Sequence, residues 1–157
     1  MPSSVYLETS VVSYLVARPS RDLVTAAHQQ LTVEWWSVRR SRFVAYASEI
    51  VVSEASAGDE GAARRRLAAL DGIPLLALTP SALELARRLV QSGAIPAQAA
   101  ADAAHVAVAA VHGMEYLLTW NCRHIANAEM RLRIEAECRL RGYEPPVLCT
   151  PEELMGD

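Results

Sequence analysis

Residues 93–120 read GAIPAQAAADAAHVAVAAVHGMEYLLTW. From Pro96 to Gly113 small apolar residues fill almost every position, which predicts a helix packed closely against a sheet. Proline suits a first helical turn and glycine the position after the last, so Pro96 and Gly113 mark its ends. The run at 115–120, EYLLTW, is apolar without alternation. Such runs are typical of parallel strands covered on both faces.

The same pattern repeats outward from this stretch. Residues 4–7 read as a short buried strand, and a helix follows from Ser10 to about 17, broken at Pro19. Residues 21–38 place Leu23, Ala26, Ala27, Leu31 and Trp35 at three-to-four spacing, an amphipathic helix with Trp35 and Trp36 as packing anchors. The strand RFVAYAS (42–48) leads to Ser48, which caps a helix to about 56. A further helix covers 59–70, stopped by Asp71-Gly72, and IPLLAL (73–78) is the next strand. Thr79 caps the helix after it, with Pro80 in first position. Beyond the quoted stretch, 122–141 reads as a helix, PPVLC (145–149) as a last strand, and 150–153 as a final helical turn. Strands alternate with helices throughout, which predicts a three-layer α/β/α fold with a mainly parallel sheet. Repeats and linkers are absent, so residues 1–157 form a single domain.

Composition narrows the setting. The chain has 157 residues, 52% hydrophobic, enough for one real core. No apolar run approaches the ~18 residues of a membrane span, so no membrane association is expected. MPSSVYLETS lacks a basic region followed by an apolar one, so no secretory signal is expected. Cys122, Cys138 and Cys149 are odd in number without CxxC spacing, and suit a reducing cytoplasm as small core or surface thiols. The net charge of −3 does not advertise a nucleic-acid binder. All 15 basic residues are arginine, a bias in keeping with a GC-rich genome. The absence of lysine excludes a P-loop lysine, a Schiff base and a lysine beside a phosphorylated aspartate.

The carboxylates stand out against this background. Ligands of open α/β sheets sit beyond the carboxyl ends of strands. The strand in SVYLETS (4–10) ends in Glu8 and two hydroxyls, and EYLLTW is followed directly by Asn121. Asp102 interrupts an otherwise small and apolar helix with no arginine within one turn, and burial of an unpartnered carboxylate costs several kcal/mol. Glu54 in EIVVSEAS (49–56) is similar. Glu49 already complements the start of that helix, and its separation from Glu54 rotates the two by roughly 140°. Carboxylates converging at strand ends repel one another unless a divalent cation lies between them. Oxygen ligands favour Mg²⁺ or Mn²⁺, and the scarcity of histidine and the cysteine spacing argue against zinc.

Together VYLETSVVSYL, SEIVVSEAS and AADAAHVAVAAVHGMEYLLTWNCRHI resemble a PIN domain, in particular the VapC-type toxins of type II toxin–antitoxin systems. The resemblance spans nearly the whole chain in the family's order: a strand ending in D-T-S, a Glu on the helix after the second strand, an Asp on an Ala-rich helix, and a strand ending in T-x-D or T-x-N. It implies that Glu8, Glu54, Asp102 and Asn121 form the metal-binding and catalytic set. Glu8 stands where the family commonly has Asp, and Asn121 is neutral. Thr9, Ser10 and Thr119 are hydroxyls that would orient the carboxylates, and they are equally ordinary helix caps. His105, three residues after Asp102, reads first as a satisfied core histidine. The resemblance further implies a Mg²⁺- or Mn²⁺-dependent ribonuclease leaving 5′-phosphate and 3′-hydroxyl ends. It also implies a cognate antitoxin and a homodimer, which helix 21–38 and its tryptophans would support. Arg123, Arg131 and Arg133 are candidates for tracking the RNA backbone, set against an alternative of Arg–Glu pairs such as Glu135–Arg139 on a solvated helix.

Two rival readings remain at this point. A catalytically weak PIN-like module that binds RNA or protein would suit the departures at Glu8 and Asn121. A phosphoacceptor receiver or a haloacid-dehalogenase-like phosphatase would need a lysine that the chain lacks, and the latter a D-x-D where this chain has E-T-S.

Overall fold

The structure is a computed structural model that describes residues 1–156. Five strands form one sheet in the order β3-β2-β1-β4-β5, every neighbouring pair parallel. They are β1 (Ser3–Leu7), β2 (Phe43–Ser48), β3 (Leu75–Leu76), β4 (Tyr116–Leu118) and β5 (Val147–Cys149). The helices are α1 (Thr9–Val16), α2 (Leu23–Glu34), α3 (Glu49–Ala55), α4 (Glu60–Ala69), α5 (Pro80–Gln91), α6 (Ala100–Val111) and α7 (Ala128–Leu140). Helix α1 packs against α2, α3 and α4, and α5 packs against α6 and α7. The architecture is the three-layer α/β/α arrangement that the alternation of strands and helices implied.

Strand β1 lies at the centre, and Val5, Tyr6 and Leu7 are all fully buried. Consecutive buried residues require cover on both faces, which explains why this strand reads as an unbroken run. Each fully buried Leu or Ile side chain contributes about 1.5–3 kcal/mol of transfer free energy. The contiguous core extends through Leu85, Leu89, Ile95, Leu117, Ile125, Ile134 and Leu148.

Helix starts follow side-chain chemistry. Asp22 accepts from Thr25 N at 2.9 Å, Ser48 from Val51 N at 3.3 Å, Asp59 from Ala62 N at 2.9 Å and Thr79 from Ala82 N at 3.2 Å. Each satisfies an amide that the first turn leaves without an intrahelical partner.

Two elements differ from the sequence reading in ways that matter for function. Residues 97–99 form a 3-10 turn and the α-helix begins only at Ala100. Asp102 therefore sits in the first turn of α6 rather than in a helix interior. There its charge is favoured by the helix dipole. Helix α2 ends at Glu34 and continues as a π-helical turn, Trp35–Arg39. Trp35 is fully buried and packs with the core, so it is not part of any exposed face. Trp36 is partly buried, with the Arg40 guanidinium 4.6 Å over its ring.

Among the described residues no helix is long and apolar enough to cross a membrane. The three cysteines are free. Burial pushes the Cys138 and Cys149 thiols up to about 12, which makes both inert core groups.

Candidate active site

The chain winds outward from β1 in both directions. It runs from β1 through β2 to β3 at one edge, then returns to place β4 and β5 on the other side. The reversal puts a topological switch point between β1 and β4, where open α/β sheets form a crevice at the carboxyl ends of their strands. Glu8 follows β1 and Thr119 follows β4, so the two line that point from opposite sides. Glu8 N donates to Leu118 O at 3.0 Å and Thr119 N to Cys149 O at 2.9 Å, fixing both strand ends.

Glu8 is only 6% exposed, yet its carboxylate is well supplied with donors. Oε2 accepts from Ser10 N at 3.1 Å, which makes Glu8 the N-cap of α1. Oε1 accepts from the Thr119 hydroxyl at 2.6 Å and from the Ser10 hydroxyl. Ser10 Oγ in turn accepts from Trp120 N at 2.8 Å, tying the loop after β4 to α1. A strand ends in a buried glutamate here because a helix start and a neighbouring strand end both donate to it. Ser10 and Thr119 thus do orient a carboxylate, and Ser10 N is capped in the same arrangement.

Glu54 reaches the same place from the last turn of α3, its side chain 38% exposed. Oε1 accepts from the Thr9 hydroxyl at 2.5 Å and from His105 Nε2 at 2.6 Å. Burial alone would raise the carboxyl pKa, but the bonds from His105 and Thr9 outweigh it and hold Glu54 below its ordinary value. Oε2 has no hydrogen-bond partner among the described residues. Ligand atoms of Glu8, Glu54 and His105 all lie within 4.8 Å of one another, with both ring nitrogens of His105 already engaged by Glu54 and Tyr6.

Asp102 lies outside this set, and Asp102 and Asn121 instead meet at His124. Asp102 projects from α6 one turn before His105, and its Oδ2 pairs with His124 Nδ1 at 3.2 Å. Asn121 Oδ1 accepts from His124 N at 3.0 Å, and Asn121 N donates to Thr119 Oγ1 at 2.8 Å. His124 therefore links the two residues, while the set within 4.8 Å consists of Glu8, Glu54 and His105.

His105 reads from the sequence as a satisfied core histidine, with a bond to Asp102 or an approach to substrate as the alternative, and it is a satisfied core histidine. It is fully buried, and Nδ1 lies 2.7 Å from the Tyr6 hydroxyl while Nε2 meets Glu54. The only signal for its role is its position one turn after Asp102.

The arginines of α7 and the preceding loop divide into two groups. Arg139 pairs with Glu144 at 2.9 Å and with Glu135 at 3.9 Å, and Arg141 pairs with Glu137 at 3.2 Å. Arg133 donates to Ser92 O at 3.4 Å, beside the end of α5. Arg123 is exposed, and neither it nor Arg131 has an ion-pair partner among the described residues. The charge of Arg131 acts on the Cys149 thiol in β5, the strand beside β4.

No protein-family model and no curated protein matches the chain.

Asp102→Asn is expected to leave stability within about 1 kcal/mol of wild type, since the change removes one favourable charge–dipole term and one charged partner of His124. If Asp102 serves a metal-dependent site, any cleavage that site performs falls at least about a hundredfold. Thermal unfolding and single-turnover cleavage of the same preparation check both statements.

Proposed function

We propose that this protein is a divalent-metal-dependent endoribonuclease of PIN-domain type, acting as the toxin of a toxin–antitoxin pair in the cytoplasm. The observation that carries the reading is the meeting of Glu8 and Glu54 at the switch point of an all-parallel sheet. The donor set fits Mg²⁺ or Mn²⁺: two carboxylates supply hard oxygens, one of them without a protein donor. Glu8 and Glu54 would hold the ion, with Asp102 and Asn121 completing the set that the family resemblance implies. Such an ion polarises a phosphoryl oxygen and makes water a stronger nucleophile near neutral pH.

The chain's own residues supply orientation and attraction. Ser10 and Thr119 fix Glu8, and Thr9 and His105 fix Glu54, so the carboxylates do not have to reorganise when the reaction proceeds. In the hydrolysis, water oxygen bonds to phosphorus and the 3′-oxygen departs with a proton. The products carry a 5′-phosphate and a 3′-hydroxyl. In this reading Asp102 and Asn121, which both bond His124, would act on the water or the scissile phosphate.

An acidic protein needs local positive charge to hold RNA, and Arg123, Arg131 and Arg133 have no carboxylate partner among the described residues, Arg133 bonding only the Ser92 carbonyl. Replacing Arg123 and Arg131 with alanine is expected to weaken RNA binding and flatten its dependence on log salt by about 1 for each phosphate no longer neutralised. Binding of the Asp102→Asn protein to RNA across a salt series measures this. Arg139→Ala, where the guanidinium already has two glutamates, is the matched control.

A homodimer and an antitoxin complex belong to the same proposal. Leu23, Val24 and Val38 are 86%, 64% and 64% exposed and supply apolar surface along α2 and the turn after it. The reading is tested by the ends of the RNA fragments produced with Mn²⁺. Ends that accept ligation to a 3′-hydroxyl without prior phosphorylation support it, and 2′,3′-cyclic phosphate ends contradict it. Metal binding without cleavage would favour the PIN-like binding module.

A further inference from the structure

A closed circuit of buried hydrogen bonds lies behind Glu54. His105 Nε2 is 2.6 Å from Glu54 Oε1, and His105 Nδ1 is 2.7 Å from the Tyr6 hydroxyl. That hydroxyl is 2.7 Å from Ser48 Oγ, and Ser48 Oγ accepts from Val51 N at 3.3 Å. Tyr6, Ser48 and His105 are all fully buried. The circuit runs from α3 through α6 and β1 and returns to the first turn of α3, the helix that carries Glu54.

The proton positions follow from acceptor capacity. A carboxylate oxygen only accepts, so His105 Nε2 donates to Glu54. A neutral imidazole with its proton on Nε2 accepts at Nδ1, so the Tyr6 hydroxyl donates there. The Tyr6 oxygen then accepts from the Ser48 hydroxyl, and Ser48 accepts from the backbone. Every group is satisfied with all donors pointing toward Glu54, and reversing any one bond strands another in the core.

The circuit matters because of which oxygen it takes. Thr9 and His105 both bond Oε1 of Glu54. A glutamate near the end of a short helix has three rotatable bonds and would otherwise sample many orientations. Here one oxygen is anchored twice, and the other carries no protein donor.

We propose that His105 is a positioning residue, held in its Nε2–H tautomer by the Tyr6–Ser48 hydroxyl pair so that Glu54 presents Oε2 to a divalent cation. The inference rests on the metal-site reading above and adds the residues that set its affinity. Outer hydrogen-bond partners of metal-binding groups typically account for about ten- to hundredfold in affinity.

The experiment compares wild type with Tyr6→Phe, His105→Gln and His105→Leu. Ring ¹⁵N–¹H correlation spectra of the metal-free protein read the tautomer, calorimetry reads Mn²⁺ affinity, and RNA cleavage is followed in parallel. Wild type is expected to show His105 protonated at Nε2 with Nδ1 accepting. Tyr6→Phe should mix the tautomers and weaken Mn²⁺ about tenfold, with the circular dichroism spectrum unchanged. His105→Gln keeps an N–H donor near the Nε2 position and should retain more affinity than His105→Leu, which carries the test if Tyr6→Phe fails to fold. A wild-type Nδ1–H tautomer, or Mn²⁺ affinities equal within about twofold across Tyr6→Phe and His105→Leu, overturns the positioning role. If affinities follow the expected order but RNA is untouched, the positioning role stands and the ribonuclease reading falls. Wild-type protein that does not bind Mn²⁺ overturns both.

Discussion

Glu54→Gln is expected to lose about three orders of magnitude of Mn²⁺-dependent RNA cleavage while the protein stays folded. Glutamine preserves the size of the side chain and an oxygen that can accept from Thr9 and His105. It removes the negative charge and replaces the other oxygen, the one without a protein donor, by an amide. Attraction for a divalent cation falls with that charge, whereas packing of α3 does not depend on it. The stability change should be about 1–2 kcal/mol, the difference between charged and neutral acceptors for two hydrogen bonds. Single-turnover cleavage and urea unfolding, measured together, separate these effects. Wild-type cleavage by Glu54→Gln would remove Glu54 from the site.

Glu8→Ala should be costly in both respects. The carboxylate caps α1 through Ser10 N and accepts from two hydroxyls, one of them on the fully buried Thr119. Loss of the cap costs about 1 kcal/mol, and a buried hydroxyl left without its acceptor costs about 1–3 kcal/mol more. A total of about 2–4 kcal/mol is expected, accompanied by loss of cleavage in whatever protein remains folded. Glu8→Gln keeps an acceptor oxygen for Thr119, so it should recover most of the stability and little of the activity. A fall in urea midpoint that is as large for Gln as for Ala would mean that charge, rather than the acceptor geometry, sets the stability at this position.

The contrast between these two glutamates shows what a sequence can reveal. Strand-then-helix alternation and unbroken apolar runs determine the layered parallel sheet, because burial on two faces admits few other patterns. The caps at Ser48 and Thr79 are legible for the same reason: they are local. Boundaries shift where backbone partners lie elsewhere. The helix expected over 122–141 starts at Ala128, because Ile125 N and Ala126 N both donate to Asn121 O in a turn. The strand expected over 73–78 is reduced to Leu75–Leu76 because only Ala47 and Ser48 pair with it.

At the site, the residue types are legible and their pairing is not. Glu8 and Glu54 can be singled out because a carboxylate next to an apolar run needs an explanation. Asp102 stands out as a charge in a helix interior, and its place in the first turn of α6 supplies a second, electrostatic reason for it. His105 reads as core because its partners, Glu54 and Tyr6, are 51 and 99 residues away in the chain. No local spacing encodes that meeting. It arises from the sheet order, which brings β1, the last turn of α3 and the middle of α6 to one point.

The central claim is that Glu8 and Glu54 hold a divalent cation for phosphodiester hydrolysis. The most direct measurement is cleavage of end-labelled RNA by purified wild type and Glu54→Gln, each with Mn²⁺ and with excess chelator. The account predicts fragments with 5′-phosphate ends only in the wild-type reaction that contains Mn²⁺. Equal cleavage by Glu54→Gln, or cleavage that persists in chelator, would contradict it.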